Sequence, residues 1–506
     1  MPENPAVIDQ APASVPSGGV NYIHTESPTD EATTGADAAE ENDTVANDTA
    51  RAKASGGTAP PPPTPTPTPA PKSTSGEVFS REILGVYYSR LYPFEWMHEW
   101  MSYGAALGNG GAATWPAFSH REWSFTIETE SRDEIYLRYQ SFKDAAGLRE
   151  AVVRRRPIKI DVGAVYSFPP GDKKARPSGS LRPVGRELVF DIDLTDYDVV
   201  RTCCSGADIC RKCWKYMAWA MEIIGIGLSK DFGFRHLQWF YSGRRGVHCW
   251  VCDAEARALT DEGRSAVAQY FLLDVASDKK KTFALELTAP LHPALQRAYD
   301  YLEPKFVKFV LPESGQGLLA TKKRWMKFLL EMPDAASGPA NDLMKRWEKR
   351  ESTPAEKWVD VTAAVDALLG KKGPRGAKGK APRKNNLGPA DRRELEAWRV
   401  STVLKHSYPR IDVAVSKSRG HLLKSPFCIH PKTGRVCVPI GEGEAEVFDP
   451  MEVPTLNKLV EELDACCDEG KEDWEKTSLS SCYRKFQEEF LRPLKAEVEM
   501  KGAMAD

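Results

Sequence analysis

The chain has 506 residues, 41% of them hydrophobic, and a formal net charge of −2. That length admits two or three domains with a sizeable core. No run approaches the roughly 18 consecutive apolar residues of a helical membrane span, and neither a secretory signal nor a basic transit-peptide pattern is evident.

Eleven cysteines without secretory features fit a reducing compartment better than a disulfide framework. Residues 1–75 carry ten acidic and three basic side chains, so −7, which leaves the remainder at +5. A mildly basic body suits a nucleic-acid partner.

Residues 1–75 are rich in Ala, Pro, Ser, Thr and acids, with Pro60 to Pro63 followed by a Thr-Pro alternation to Pro69. Such a segment buries too little apolar surface to offset its ordering entropy. It is expected to be a disordered tail with polyproline II character near 60–71. Ile83, Val86, Tyr87, Leu91 and Phe94 then fall at helical spacing, and Pro93 should end or kink that helix before a second over 96–103. Alternation predicts strands over 122–126, 134–142, 158–166 and 187–193. A helix is expected over 212–228, then strands over 237–241 and 247–252 joined by a Ser-Gly-Arg-Arg-Gly turn. Residues 266–400 are dominated by helix formers and contain a glycine- and lysine-rich run, 370–386, expected as a mobile basic loop. Strand patterns return over 410–416 and 436–440, a helix is expected near 481–491, and a tail over 496–506 closes the chain. The pattern is α+β, without regular βαβ alternation.

Asp191 and Asp193 end an apolar, β-prone run. Residues two apart on a strand share a face, so the carboxylates should project side by side and repel unless a cation lies between them. Hard oxygen ligands suit magnesium or manganese. A strand that ends in a solvated acidic turn is the competing reading. Asp412, in Tyr-Pro-Arg-Ile-Asp-Val, is a third aspartate expected on a strand.

Cys203, Cys204, Cys210 and Cys213 have CC-x5-C-x2-C spacing, which suits a closed, structural zinc site; buried free thiols are the alternative. Cys249 and Cys252 sit in a strand pattern with thiols on opposite faces and read as core. In Ser242-Gly-Arg-Arg-Gly-Val-His248, two glycines let the backbone approach an anion, and Arg244 and Arg245 offer forks for phosphate oxygens. A solvated basic hairpin tip is the bland alternative. Downstream come His421, Lys424 and His430 in His-Leu-Leu-Lys-Ser-Pro-Phe-Cys-Ile-His.

This order of motifs resembles the small, catalytic subunit of the eukaryotic and archaeal replicative DNA primase. The likeness covers about residues 78–265 and 395–490, and the Phe-Asp-Ile-Asp and Ser-Gly-Arg-Arg-Gly-Val-His runs carry it most specifically. It implies the archaeo-eukaryotic primase fold, mixed sheets with flanking helices. The implied catalytic domain comes in two parts, 76–265 and 401–495, around a helical insertion at 266–400. It implies that Asp191, Asp193 and Asp412 hold two Mg2+ or Mn2+ ions, and that Ser242, Arg244, Arg245, His248, Lys424 and His430 contact the incoming triphosphate. Arg138 and Lys159 are implied to line the nucleotide site, with Glu122 and Asp161 as weaker candidates. The implied activity is DNA-dependent synthesis of short RNA primers from ribonucleoside triphosphates on single-stranded DNA. The implied partners are a large primase subunit and the DNA polymerase alpha complex, in the nucleus. Two alternatives stay open: a repair-type primase-polymerase of the same superfamily, and a non-catalytic nucleic-acid-binding scaffold.

Overall fold

The strands expected from alternation form, and they sort into two antiparallel sheets. In chain order they are β1 (Arg121–Glu128), β2 (Glu134–Gln140), β3 (Lys159–Tyr166), β4 (Pro183–Gly185), β5 (Leu188–Asp193), β6 (Leu237–Tyr241), β7 (Gly246–Val251), β8 (Leu423–Lys424) and β9 (Pro439–Ile440). The first sheet runs β2-β1-β3-β4, with β8 also paired to β3; the second runs β5-β7-β6-β9. The computed structural model describes residues 79–104, 117–131, 133–273, 287, 290–371 and 387–503. These all fall within the unit that spans 73–506. The acidic, proline-rich tail and nearly all of the 370–386 run lie outside the described residues.

Packing follows the apolar periodicities. Helix Arg81–Arg90 starts at Ser80, whose hydroxyl accepts from the Ile83 amide at 3.3 Å, and it buries Leu84, Tyr87 and Tyr88. Pro93 separates it from helix Phe94–Ser102, as its fixed φ predicts. Helix Arg211–Lys230 buries Tyr216, Met217, Trp219, Ile224 and Leu228. Between β7 and β8 every described element is helical, including Pro293–Lys305, Lys322–Leu330, Ser337–Lys349, Pro354–Leu368 and Pro389–Ser407. The chain closes on helix Arg492–Ala503.

Two expected strands differ. Residues 410–416 do not form one: Asp412 caps a short helix, Val413–Lys417, because its carboxylate accepts from the Ala414 amide at 2.9 Å. A capping aspartate outweighs a seven-residue alternation. Of 436–440, only β9 joins a sheet, while Val436 makes an isolated bridge to Ile429.

The two sheets are pinned by a buried ion pair. Arg121 of β1 is 1% exposed and Glu187, just before β5, is 0% exposed. Two hydrogen bonds of 2.8 Å join them, and the Tyr103 hydroxyl donates a third, of 2.6 Å, to Glu187. Burial works to raise the Glu187 pKa, but the Arg121 charge and these bonds outweigh it and hold it at about 2. Replacing Glu187 with Gln leaves Arg121 charged, buried and without its counter-ion, and should cost about 3–5 kcal/mol. A folded pKa depressed from 4.5 to about 2 gives stability that is full above pH 4.5 and lost as pH falls toward 2. Urea denaturation of wild type and Glu187→Gln should therefore show a gap that is wide at pH 7 and narrower at pH 3. An equal gap at both would contradict this.

Candidate active site

β5 pairs with β7 so that Asp191 lies opposite His248 and Asp193 opposite Gly246. Alternation turns Leu188, Phe190 and Ile192 into the core and places Asp191 and Asp193 together on the other face. The third acid arrives through the backbone: the Asp412 amide donates to the Asp191 carbonyl oxygen at 3.0 Å. All three line a cavity of about 680 Å3, together with Asp196, Lys405 and Arg410. Burial, and then the charges of Asp193 and Asp412, raise the Asp191 pKa to about 7, against the opposing effect of Lys424. Asp193 is held by Arg245, whose Nε lies 2.8 and 2.7 Å from its two oxygens, and by the Thr195 amide and hydroxyl at 2.8 Å each.

The hairpin between β6 and β7 is closed by Ser242. Its amide donates to the Gly246 carbonyl at 2.9 Å, and its hydroxyl accepts from the Gly246 amide at 3.0 Å. Gly243 has φ +87°, and a Cβ there would lie 2.6 Å from the His430 Cβ. A Cβ on Gly246 would lie 2.4 Å from the Ile192 carbonyl oxygen, so both positions need glycine. Arg244 and Arg245 are half-buried at the tip. His248 is buried, with Nε2 3.5 Å from an Asp191 oxygen. Burial, then Lys424 and Lys159, lower its pKa to about 3, so it is neutral and makes no ion pair there. Burial, then Lys424 and Arg244, likewise lower His430 to about 3. The His430 Nδ1 accepts from the Lys432 amide at 3.2 Å.

The first sheet contributes along its β1–β3 face. Arg138 makes two bonds to Glu122, of 3.0 and 3.2 Å, and the same carboxylate accepts from the Tyr166 hydroxyl at 3.0 Å. Lys159 lies 3.1 Å from Asp161, and Asp161 pairs in register with Lys424 of β8. Lys424 then reaches the second sheet, donating to the Ser242 carbonyl oxygen at 3.1 Å. The structure thus brings Lys159, Lys424, Ser242, His248 and the aspartates to one seam, with Arg138 on the same sheet as Lys159. Glu122 and Asp161 emerge as the buried partners of Arg138 and Lys159. Sequence reasoning missed Asp196, Lys405 and Arg410 as cavity walls. Their types and spacing carry no signal, although Arg410 and Asp196 adjoin the recognised motifs.

The four-cysteine loop precedes helix Arg211–Lys230. The sulfurs of Cys203, Cys204, Cys210 and Cys213 all lie within 4.8 Å of one another, and the Cys210–Cys213 pair is 3.9 Å apart. Zn–S bonds of about 2.3 Å put tetrahedral sulfurs roughly 3.8 Å apart, so this donor set fits zinc. Arg201 donates to the Cys213 sulfur at 3.8 Å and Gln316 to the Cys203 sulfur at 3.5 Å, which offsets the excess negative charge of four thiolates. Cys249 and Cys252 are both fully buried and outside this group, as expected of core residues.

Three acids gathered on one cavity wall, beside a glycine turn that carries two arginines, suit an enzyme that transfers nucleotidyl groups. The comparisons bear on the same class. A family described as DNA primase small subunit matches residues 190–442. The DNA primase small subunit of Drosophila melanogaster is 38% identical over 429 residues, covering 82% of this chain and 91% of that protein. That of Schizosaccharomyces pombe is 38% identical over 380 residues, covering 75% and 77%. That of Saccharomyces cerevisiae is 34% identical over 403 residues, covering 79% and 89%. The chain belongs to the DNA primase small subunit family: it is a catalytic subunit, a nucleotidyltransferase that synthesises primers.

The hairpin geometry can be checked directly. Gly246→Ala drives a methyl into the Ile192 carbonyl, which is backbone and cannot swing aside. It should lower stability by about 2 kcal/mol or more in chemical denaturation. Gly179→Ala, where a Cβ would meet nothing within 4 Å but φ is +78°, should cost only the backbone strain, about 1 kcal/mol. Equal effects would mean that the β5–β7 contact is looser than described.

Proposed function

We propose that this chain is a DNA-dependent RNA polymerase that starts primers on single-stranded DNA, with its reaction centre at Asp191, Asp193 and Asp412. The observation that carries the reading is the Asp412 amide bonded to the Asp191 carbonyl, which delivers a third carboxylate to the Asp-x-Asp strand end. The raised pKa of Asp191 reflects crowding that a divalent cation relieves, so the three acids fit Mg2+ or Mn2+. Bound there, two such ions would supply activation of the attacking 3′-hydroxyl and stabilisation of the departing pyrophosphate.

The chain's own groups do the rest. Arg244, Lys424 and the Ser242–Gly246 turn present fixed charge and dipoles to the triphosphate, and Arg245 joins them from its place on Asp193. Their preorganisation is the main stabilising effect expected where charge develops. Neutral His248 and His430 offer hydrogen bonds without adding charge. Arg138 and Lys159, anchored on Glu122 and Asp161, line the nucleotide side of the seam. Cys203, Cys204, Cys210 and Cys213 would hold a zinc ion that fixes the loop after Asp193 without a chemical part. As a small subunit it works with a larger one; we assign that partner as the large primase subunit within the DNA polymerase alpha complex, in the nucleus, with ribonucleoside triphosphates as substrates.

Asp193→Asn should abolish metal-dependent primer extension, a loss of at least about a hundredfold, while the variant still folds, because relief of the repulsion from Asp191 offsets a weakened Arg245 pair. Substantial extension by the folded variant would remove the two-metal assignment. Elemental analysis should find one zinc per chain. Cys210→Ser with Cys213→Ser should lose it and lower melting temperature before it lowers turnover; iron with sulfide in its place would reverse the assignment.

Starting a chain requires two triphosphates to be held at once, and ordering a pair accounts for roughly 7–11 kcal/mol of a barrier. One triphosphate cradle is evident among the described residues. The isolated chain should therefore extend an annealed RNA primer but initiate weakly, and adding the large subunit should raise initiation far more than extension. Efficient unaided initiation, unchanged by the partner, would contradict this division of labour.

A further inference from the structure

Cys428 and Cys437 face each other directly behind the hairpin. Ile429 bridges Val436, and the Cys437 amide donates to the Cys428 carbonyl at 2.9 Å, which sets the two residues opposite in an antiparallel register. Their sulfurs are 3.8 Å apart, and both side chains are buried. The Cys437 thiol also donates to the Ser242 carbonyl oxygen at 3.2 Å, the oxygen that accepts from Lys424. A Cβ on Gly243 would lie 3.3 Å from that sulfur. One thiol of the pair therefore packs directly against the Ser242–Gly246 turn, where position 243 carries no side chain. Neither belongs to the four-cysteine group.

We propose that Cys428 and Cys437 form a redox modification site, in which hydrogen peroxide closes a disulfide beneath the hairpin and weakens nucleotide binding. The second half of this rests on the reading of Ser242 to His248 as the triphosphate cradle. In the first step the Cys437 sulfur, its proton lost, attacks one peroxide oxygen. The O–O bond breaks, and the departing hydroxide takes up that proton as water, leaving a sulfenic acid. In the second step the Cys428 sulfur attacks the oxidised sulfur, the S–O bond breaks, and a second water leaves with the Cys428 proton. Two thiols and one peroxide give one disulfide and two waters. Cys437 is the better attacking group. Burial works against its ionisation, but the hydrogen bond from Cys428 and the charge of Lys424 outweigh burial and bring it below the ordinary thiol value. Cys428 is held well above that value by burial.

Closure brings the sulfurs from 3.8 Å to about 2.05 Å and removes the S–H donor from the Ser242 carbonyl. Lys424 is then the remaining side-chain donor described on that oxygen, and it is held there instead of on phosphate. Losing one such bond corresponds to about a fivefold rise in nucleotide KM.

The test uses the full chain, treated with hydrogen peroxide, blocked with iodoacetamide and digested with trypsin. The expected product is a disulfide joining peptide 425–432 to peptide 436–458, each of which contains a single cysteine. Extension of an annealed primer should show nucleotide KM rising about fivefold, with dithiothreitol reversing both changes and zinc content constant. Cys428→Ala keeps the Cys437 bond to Ser242, so it should extend primers normally and show no peroxide effect. Absence of the linked peptides, a KM rise that tracks zinc release, or an equal peroxide effect in Cys428→Ala would each overturn the proposal. So would linked peptides with KM unchanged while Arg244→Ala, in reduced protein, still raises KM. If Arg244→Ala leaves KM unchanged, it is the cradle reading that fails, and the peptide map still decides whether the disulfide forms.

Discussion

The amide of Asp412 donates to the carbonyl oxygen of Asp191, and the site depends on that bond between distant parts of the chain. Three carboxylates do not gather of their own accord: each one added raises the cost of ionising the others, as the elevated Asp191 shows. The side chains repel, so their placement has to be enforced by backbone. β5 fixes two acids through its ladder with β7. The third is fixed by the amide bond, by the cap that Asp412 places on helix Val413–Lys417, and by the Tyr197 hydroxyl, which accepts from the Arg410 amide at 3.0 Å. None of these anchors uses a carboxylate oxygen of Asp191, which keeps that group available.

Positive charge is distributed to the same end. Arg245 covers Asp193, while Lys424 and Lys159 bear on Asp191 and His248 from the first sheet. His248 is buried and His430 half-buried, and both are pushed to about 3, so neither adds positive charge to the seam at neutral pH. Burial and the two neighbouring acids bring Asp191 to about 7, so cations bound beside it would hold it ionised at neutral pH.

Much of this was legible in the chain, for identifiable reasons. Strands β1, β3, β5, β6 and β7 were readable as β-prone, apolar-rich runs, although β1, β3 and β7 are buried along nearly their whole length, on both faces. The hairpin was readable because Gly243 and Gly246 sit where a side chain would strike His430 or Ile192. Asp412 was recognised as an acid of the site but assigned to a strand, since a short alternation cannot reveal that its carboxylate would be used as a helix cap. The pairing of Arg138 with Glu122 and of Lys159 with Asp161 was not legible in advance. Each depends on which strands become neighbours, and β2-β1-β3 order is a property of the sheet, not of any one segment. Lys405 and Arg410 were missed for a related reason: they line the cavity only because helix Pro389–Ser407 ends beside it.

The seam between the sheets is held differently at its two ends. At one end Arg121 and Glu187 form a fully buried, doubly bonded pair with the Tyr103 hydroxyl, and nothing in the reaction has cause to disturb it. At the other, Lys424 crosses from β8 to the Ser242 carbonyl, and the same ammonium is the one we propose meets phosphate. A group serving both ends of that choice needs a substitute when it turns to substrate, because a carbonyl left without a donor in a buried turn is costly. The Cys437 thiol supplies it, bonded to the same oxygen from below. On the proposed reading, Lys424 can exchange its bond for one to phosphate without leaving the turn unsatisfied. The geometry of the hairpin during nucleotide binding is then carried by a thiol on the one side and by two glycines on the other.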